Sequence, residues 1–148
     1  CMSIRLFQPT DTSACLSIFD GNVPDYFARE ERTDFERFLR EHAAACTFKV
    51  IEHDGRIVAC GGLWRRGDGS ATFCWGMVER ALHRQGFGRE LALARLQQAD
   101  HEPSITRITL NTSQHTQGFY ARLGFQVTRV VSNGHGAGID AVEMERRV

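Results

Sequence analysis

The sequence predicts a single domain over residues 1–148 with a mixed α/β fold, in which helices cover both faces of a mostly antiparallel sheet. Three observations predict this class. Apolar residues alternate with a period of two in some segments and recur at helical spacing in others. The segments follow one another in the order β-α-α-β-β-β-α-β-α-β-β. Three consecutive strands in the middle of the chain are joined by tight turns, which is typical of antiparallel pairing.

The first third of the chain predicts one strand followed by two helices. Residues 3–8 alternate between apolar and polar side chains, which is strand periodicity. Asp11 caps a short helix that ends at the stop over residues 20–22. After a loop with exposed aromatic residues at 23–27, apolar residues recur at helical spacing over 30–42.

The middle of the chain predicts a three-stranded meander. Residues 48–52 and 57–64 predict two strands, and the turn sequence at 53–56 joins them as a hairpin. A second turn at 66–69 leads into a third strand over 71–78.

The last third predicts alternating helices and strands. The helices are predicted over 90–99 and 114–123, and the strands over 105–110, 125–131 and 139–145. The glycine-rich residues 134–138 predict a flexible connection between the last two strands.

The composition is that of a globular protein without a polyanionic partner. Hydrophobic residues make up 42% and charged residues 24% of the chain, and 18 basic residues balance 18 acidic ones. This balance argues against nucleic acid or an anionic membrane as a partner. The apolar runs are shorter than a membrane span and no charged-then-apolar leader opens the chain, so we expect a cytoplasmic protein.

The five cysteines predict neither a disulfide framework nor a metal site. They are scattered without C-x-x-C spacing, which favours reduced thiols in the core. Cys74 stands in a strand without a paired histidine and is interpreted as a packing residue. His115 and His135 have no partners at metal-ligand spacing, so we expect no metal. Cys1 precedes Met2 and is left out of the functional interpretation.

Residues 83–88, His-Arg-Gln-Gly-Phe-Gly, lie between an apolar strand and an amphipathic helix and predict a loop that holds a pyrophosphate. A helix N-terminus offers unpaired backbone N–H groups and a dipole that favours anions. Gly86 and Gly88 allow the backbone to approach closely, and Arg84 and Arg89 add positive charge. The alternative is an ordinary glycine turn before a helix.

This loop differs from two common phosphate-binding sequences. Leu91 stands where a dinucleotide-binding fingerprint has its third glycine. Gly88 is followed by Arg89 and Glu90, where a P-loop has lysine and then serine or threonine. We therefore exclude both classes.

Two features further along the chain make the loop more specific. Asn111 ends a strand, and residues 119–125 read Phe-Tyr-Ala-Arg-Leu-Gly-Phe on a helix with a glycine stop. Together with the loop, in this order and at this separation, they resemble the GNAT superfamily of acetyltransferases over nearly the whole chain. The resemblance implies the GNAT acyltransferase fold, acetyl-coenzyme A as co-substrate and N-acetyltransferase activity.

The resemblance also implies which residues bind the coenzyme. In this family the fourth strand diverges from the fifth, and the pantetheine arm lies between them. The implied residues are Met77, Val78, Arg84, Gln85, Gly86, Phe87, Gly88, Arg89 and Asn111. His83 departs from the arginine or glutamine usual at its position. Because the family grips pyrophosphate mainly through backbone amides, we expect binding to be retained.

Tyr120 matches the family's tyrosine near the departing sulfur, so we expect it to act as the general acid. A tyrosine hydroxyl can donate this proton. The alternative is that Tyr120 is a core residue. We predict Glu79, just after the fourth strand, as the general base. The alternatives are Glu52, His53 and Asp20, or no dedicated base where the amine arrives neutral.

The resemblance places the acceptor against the first two helices, their loop and the last hairpin. The residues expected there are Phe19, Asp20, Asn22, Tyr26 and Phe27, with Trp64 and Trp75. Aromatic rings with one or two acids suit a small-molecule or peptide amine; the alternative is that these residues close the core. From its position, the glycine-rich segment around His135 is expected to border the same site.

Two other functions stay open at the level of sequence. One is a non-catalytic module that binds acyl-coenzyme A as a sensor, and the other is an acyltransferase with a different acyl group or an oxygen acceptor. Retention of Tyr120 with Gly86 and Gly88 favours catalysis. An exposed strand edge near the C-terminus is compatible with a homodimer.

Overall fold

The computed structural model describes residues 2–148, so the interpretation of Cys1 lies outside it. The strands are β1 (Met2–Leu6), β2 (Lys49–His53), β3 (Arg56–Arg65), β4 (Ser70–Val78), β5 (Arg107–Thr112), β6 (Gln126–Gly136) and β7 (Ile139–Arg147). The helices are α1 (Thr12–Gly21), α2 (Arg32–Glu41), α3 (Phe87–Asp100) and α4 (Gln117–Ala121), with short 3-10 turns at 9–11, 29–31 and 80–82. This order confirms the predicted succession of elements.

All seven strands form one sheet in the order β1-β2-β3-β4-β5-β7-β6. Every neighbouring pair is antiparallel except β4 and β5, which confirms the mostly antiparallel sheet. The parallel pair is hydrogen-bonded only over residues 70–72 and 107–109, and the two strands separate beyond it. The sheet is therefore split between the C-terminal ends of β4 and β5.

Helices cover both faces of this sheet. Side chains alternate between the faces along a strand: Val50 packs with Phe35 and the rest of the α1–α2 layer, whereas Ile51 packs with Leu91 of α3. Helix α4 joins α3 on the second face. The two layers confirm the predicted arrangement. Within residues 2–148 no helix combines the length and the apolar character needed to cross a membrane.

The glycine-rich segment differs from its prediction as a flexible connection. Strand β6 continues to Gly136 and turns tightly into β7. Asn133 closes this turn, because its side-chain oxygen accepts the N–H of Gly138 at 2.8 Å and its own N–H donates to Asp140 at 3.0 Å. Hydrogen bonds from side chains thus order a segment whose glycine content alone indicated mobility.

The first loop is held by a buried carboxylate. Asp11 accepts two hydrogen bonds from the Arg5 guanidinium, at 2.8 and 2.9 Å, and one from the backbone N–H of Gln8 at 2.8 Å. Arg5 holds the pKa of the Asp11 carboxyl below its ordinary value. A depressed folded-state pKa contributes stability above the unfolded pKa, and that stability is lost as the pH falls.

We therefore expect Asp11→Asn to lower the free energy of unfolding by about 2 kcal/mol at pH 7, because it removes the charged acceptor of two Arg5 hydrogen bonds and leaves Glu52 as the remaining partner of Arg5. The difference between the wild type and the variant should begin to shrink as the pH falls below about 4, the unfolded aspartate pKa, and should shrink further as the pH approaches the lowered folded-state pKa of Asp11. Urea unfolding at pH 7 and at pH 3.5 measures both values. A difference that stays constant with pH would contradict the assignment.

Candidate active site

A β-bulge in β4 opens the sheet beside β5. Trp75 and Gly76 together lie opposite the single residue Gly61 of β3, and Trp75 has a φ of +50°. A bulge of this kind bends its strand and interrupts pairing. The separation of β4 from β5 forms a cleft of about 770 Å³ that reaches from the start of α3 to α4.

Most of the residues that the family resemblance assigned to coenzyme binding line this cleft. Seven of these nine line it: Met77, Val78, Arg84, Gly86, Gly88, Arg89 and Asn111. The side chains of the other two lie elsewhere. Gln85 is exposed, and Phe87 is buried on the α3 face with its ring 5.1 Å from that of His53. Only the backbone of Phe87 is therefore available to a ligand in the cleft.

The start of α3 is built to receive an anion. Gly86 has a φ of +91°, and its carbonyl accepts the N–H of Glu90 at 3.0 Å, which is the first hydrogen bond of the helix. The N–H groups of Phe87, Gly88 and Arg89 consequently have no acceptor within the helix. A Cβ added at Gly88 would lie 3.6 Å from the side chain of Val78, inside the cleft. A pyrophosphate fits this geometry and charge.

His83, where the sequence departs from the family pattern, ties the loop to the end of β4. Its Nε2 lies 2.9 Å from the carbonyl oxygen of Val78, and because a carbonyl only accepts, Nε2 carries the proton. Asn22 donates to the same oxygen at 2.9 Å. The His83 ring also packs edge-on against Tyr26, with centroids 5.0 Å apart. His83 therefore holds the loop against the end of β4 and against Tyr26.

Tyr120 stands on α4 at the far end of the cleft. Its ring packs against Phe73, Phe119 and Phe125 at centroid distances of 6.4, 5.0 and 5.8 Å, which fixes the direction of the side chain. Its hydroxyl forms no hydrogen bond with any residue of the described chain. The tyrosine is thus both rigid and free to contact a ligand.

The two histidines for which the sequence showed no partners at metal-ligand spacing, His115 and His135, also line the cleft. His135 Nε2 lies 2.8 Å from Asn111 Oδ1 and 3.1 Å from the carbonyl oxygen of Thr112. Since the carbonyl only accepts, Nε2 is protonated and Nδ1 carries the lone pair when the ring is neutral. His115 packs edge-on against Tyr26, with centroids 5.7 Å apart. Within residues 2–148 no three His, Cys, Asp or Glu side chains converge as metal ligands.

The four sequence candidates for the general base all lie outside the lining of the cleft. Glu79 and Asp20 form ion pairs with arginines, at 2.9 and 2.8 Å. Glu52 pairs with Arg5. His53 packs on Phe87 and contacts Asp54. In this arrangement each of the four side chains is engaged with another residue of the chain.

Glu31, which the sequence did not single out, does line the cleft. It precedes α2, and its Oε1 accepts the backbone N–H of Ala28 at 3.0 Å. Burial raises the pKa of its carboxyl, although His135 lies close enough to oppose the shift. At the start of the predicted helix over 30–42, Glu31 has the pattern of an ordinary first-turn acid. Only the fold places it at the cleft.

The predicted acceptor residues divide between the cleft and the rest of the molecule. Asn22, Tyr26, Phe27 and Trp75 line the cleft, and the rings of Phe27 and Trp75 stack with centroids 6.2 Å apart. Three others lie elsewhere. Phe19 is in the core, Asp20 is on the surface beside Arg32, and Trp64 packs against His42.

Comparison with known proteins agrees with this architecture. A family model described as an acetyltransferase (GNAT) domain matches residues 26–148. The ribosomal-protein-S18-alanine N-acetyltransferase of Escherichia coli is 18% identical, with a TM-score of 0.81 over 100% of this chain and 94% of the other.

Two further solved structures are similar. Ard1 of Thermoplasma volcanium is 23% identical, with a TM-score of 0.78 over 99% of this chain and 97% of the other. YncA of Salmonella typhimurium, solved with its cofactor acetyl-coenzyme A, is 18% identical, with a TM-score of 0.76 over 99% and 94%. At these identities the likeness establishes the fold. No curated protein matches the chain.

Proposed function

The chain belongs to the GNAT family of acetyltransferases, and from this premise we propose that it transfers an acetyl group from acetyl-coenzyme A directly to an amine. One observation carries the proposal. A single cleft joins the unpaired N–H groups at the start of α3 to the hydroxyl of Tyr120. An anion-binding end and a proton donor in one space are what the reaction requires.

The grip on the coenzyme comes from two parts of the chain. The backbone N–H groups of residues 87–89 hold the pyrophosphate, and the exposed guanidinium groups of Arg84 and Arg89 add charge at the mouth of the cleft. Along β4, the backbone beyond residue 72 has no partner on β5 and pairs with the pantetheine arm. When bound there, the coenzyme supplies a thioester, whose carbonyl is the electrophile.

Tyr120 donates its proton to the thiolate as it leaves, which makes departure easier. Backbone N–H groups at the bulge of β4 stabilise the oxyanion because they are fixed before the reaction begins. Glu31 takes the proton from the attacking amine. Its pKa is raised by burial, so the carboxylate is a stronger base than an exposed glutamate. In this proposal the acid stands on α4 and the base just before α2.

The acceptor proposed for this site is a primary amine with an apolar portion, on a small molecule or a peptide. The carboxylate of Glu31 attracts an ammonium group, and the stacked rings of Phe27 and Trp75 offer an apolar wall beside it. Tyr26 adds a second aromatic surface. The amine of the E. coli relative's substrate is a protein alanine, which fits the peptide class.

The experiment that tests the proposal measures free thiol released from acetyl-coenzyme A by the full chain with a panel of amines and alanine-terminated peptides. We expect thiol release that occurs only when a particular acceptor is present. Thermal stabilisation by coenzyme A without release for any acceptor would instead support the sensor function.

Replacing Glu31 with glutamine is expected to lower kcat/KM at pH 7 on the order of 10-fold, below the usual range for a general base because some amine arrives neutral. Wild-type kcat/KM should rise as the pH increases through the raised pKa of Glu31, since only the carboxylate accepts a proton. The variant should lack this rise. Glu30→Gln, at the exposed neighbouring position, is the control; equal profiles for the two variants would exclude Glu31 as the base.

A further inference from the structure

Arg95 of α3 is a buried cation without a charged partner. Its exposed fraction is 2%, yet it lines the inner wall of the cleft. Its Nη1 donates one long hydrogen bond, 3.4 Å, to the carbonyl oxygen of Gly62, and its Nε has no acceptor. The guanidinium carbon lies 3.9 Å from the centroid of the Phe73 ring. A guanidinium has five N–H donors, so most of its hydrogen-bonding capacity is unused.

No group within residues 2–148 neutralises this charge. Arg95 forms no ion pair with a carboxylate. The thiols of Cys60 and Cys74 lie near it, but burial raises the pKa of Cys60, and a hydrogen bond with Cys46 raises the pKa of Cys74. Both sulfurs are therefore neutral. A buried charge is costly unless a partner compensates it, and here the open side of the guanidinium is the cleft.

The strands under the cleft are shaped around this side chain. A Cβ added at Gly61 would lie 3.0 Å from Nη1, and one added at Gly76 would lie 3.0 Å from Nη2. Two glycines on neighbouring strands thus leave the space that the guanidinium occupies. On α3, Gly88, Leu91 and Arg95 follow at spacings of three and four residues and line the cleft together. The position of the cation is therefore built into both elements.

We infer that Arg95 binds a carboxylate at the end of the acyl group, so that the cleft takes dicarboxylic acyl thioesters of coenzyme A, of the malonyl or succinyl type, in addition to acetyl-coenzyme A. The inference rests on the proposed function, because it assumes that the thioester lies in this cleft. A carboxylate pairs with a guanidinium through two parallel hydrogen bonds, which satisfies donors that the protein leaves free.

The donor side of the reaction, rather than the acceptor, supplies this carboxylate. Arg95 belongs to the same helix whose first turn holds the pyrophosphate, on the α3 face of the sheet. The acceptor residues Tyr26, Phe27 and Glu31 come from the segment between α1 and α2. An acceptor carboxylate would also meet the negative charge of Glu31.

Calorimetric titration of the full chain tests the inference without an acceptor. The ligands are acetyl-, malonyl-, succinyl- and isovaleryl-coenzyme A; isovaleryl differs from malonyl in that two methyl groups replace the carboxylate oxygens. We expect malonyl- or succinyl-coenzyme A to bind at least about 10-fold more tightly than isovaleryl-coenzyme A, the scale of a desolvated charge-assisted pair. Equal affinities in the wild type would overturn the inference.

Arg95→Met keeps the aliphatic stem and removes the charge. This variant should lose the preference for the carboxylated thioesters, so that its Kd values for malonyl- and isovaleryl-coenzyme A agree within about twofold. Gly76→Ala is the second variant, because its Cβ displaces the guanidinium without removing the charge. It should also reduce the preference, and it supplies the test if Arg95→Met fails to fold.

Four outcomes of these measurements would overturn the inference. A preference that survives in both variants would place the carboxylate elsewhere. A requirement for Arg95 that appears only with carboxylated acceptors would assign it to the acceptor. Failure of every thioester to bind would refute the proposed function as well, whereas binding of acetyl-coenzyme A without the preference would refute this inference alone.

Discussion

Tyr120→Phe is expected to lower kcat about 100-fold while the Kd for acetyl-coenzyme A stays within about twofold, the usual scale for loss of a general acid. The substitution removes one hydroxyl and keeps the ring. The ring packs against Phe73, Phe119 and Phe125, so the fold and the shape of the cleft should be retained. The thiolate must then leave without the proton, and the loss falls on the chemical step.

Tyr26→Phe is a matched control for this measurement. The chain has two tyrosines, both line the cleft, and both substitutions remove only a hydroxyl. Steady-state kinetics with saturating acceptor should show kcat of the Tyr26 variant within about threefold of the wild type, because that hydroxyl takes no part in proton transfer. Equal losses of kcat in the two variants would mean that the hydroxyl of Tyr120 has no special role.

The order of elements was predictable because each element has a strong local pattern. The 83–88 loop, Asn111 and Tyr120 stand at element ends, where a change of period marks their place. The fold brings all three to one cleft. The family resemblance carried by these three markers was therefore enough to group residues that the fold brings together.

The acceptor side was not predictable in the same way, because it depends on contacts between distant segments. Glu31 has the local pattern of a first-turn acid, and His135 lies in a glycine-rich stretch. Glu79 directly follows β4, as the sequence predicted. Its ion pair with Arg56 of β3 is a tertiary contact that the sequence does not show. Which carboxylate faces the cleft is decided by how α1 and α2 pack on the sheet.

The role of Arg95 was predictable only in part. It follows Leu91 by four residues, so helical spacing alone places a charge on the buried face of α3. The sequence therefore contained an anomaly on that face. The glycines that accommodate the Arg95 side chain, Gly61 and Gly76, are on β3 and β4. Only the structure therefore shows why a charged residue can stand on this buried face.

Gly86→Val is expected to weaken the binding of coenzyme A about 100-fold, equivalent to about 3 kcal/mol. A Cβ at Gly86 would meet no atom within 4 Å, so the cost is conformational: the residue has a φ of +91°, which a β-branched side chain rarely adopts. Relaxing that angle turns the N–H groups of residues 87–89 away from the site that holds the pyrophosphate.

Gly67→Val separates this effect from general strain. Gly67 has a φ of +81°, its added Cβ also meets nothing within 4 Å, and it lies in the turn between β3 and β4, outside the cleft lining. Both variants should lose about 1–2 kcal/mol of unfolding free energy, because both force a branched residue into the left-handed region. Only the Gly86 variant should lose affinity in calorimetric titration. If the two variants bind coenzyme A equally well, the start of α3 is not the pyrophosphate site. The backbone strain is the same in both variants, so equal binding would mean that the position of the strained residue does not affect the ligand.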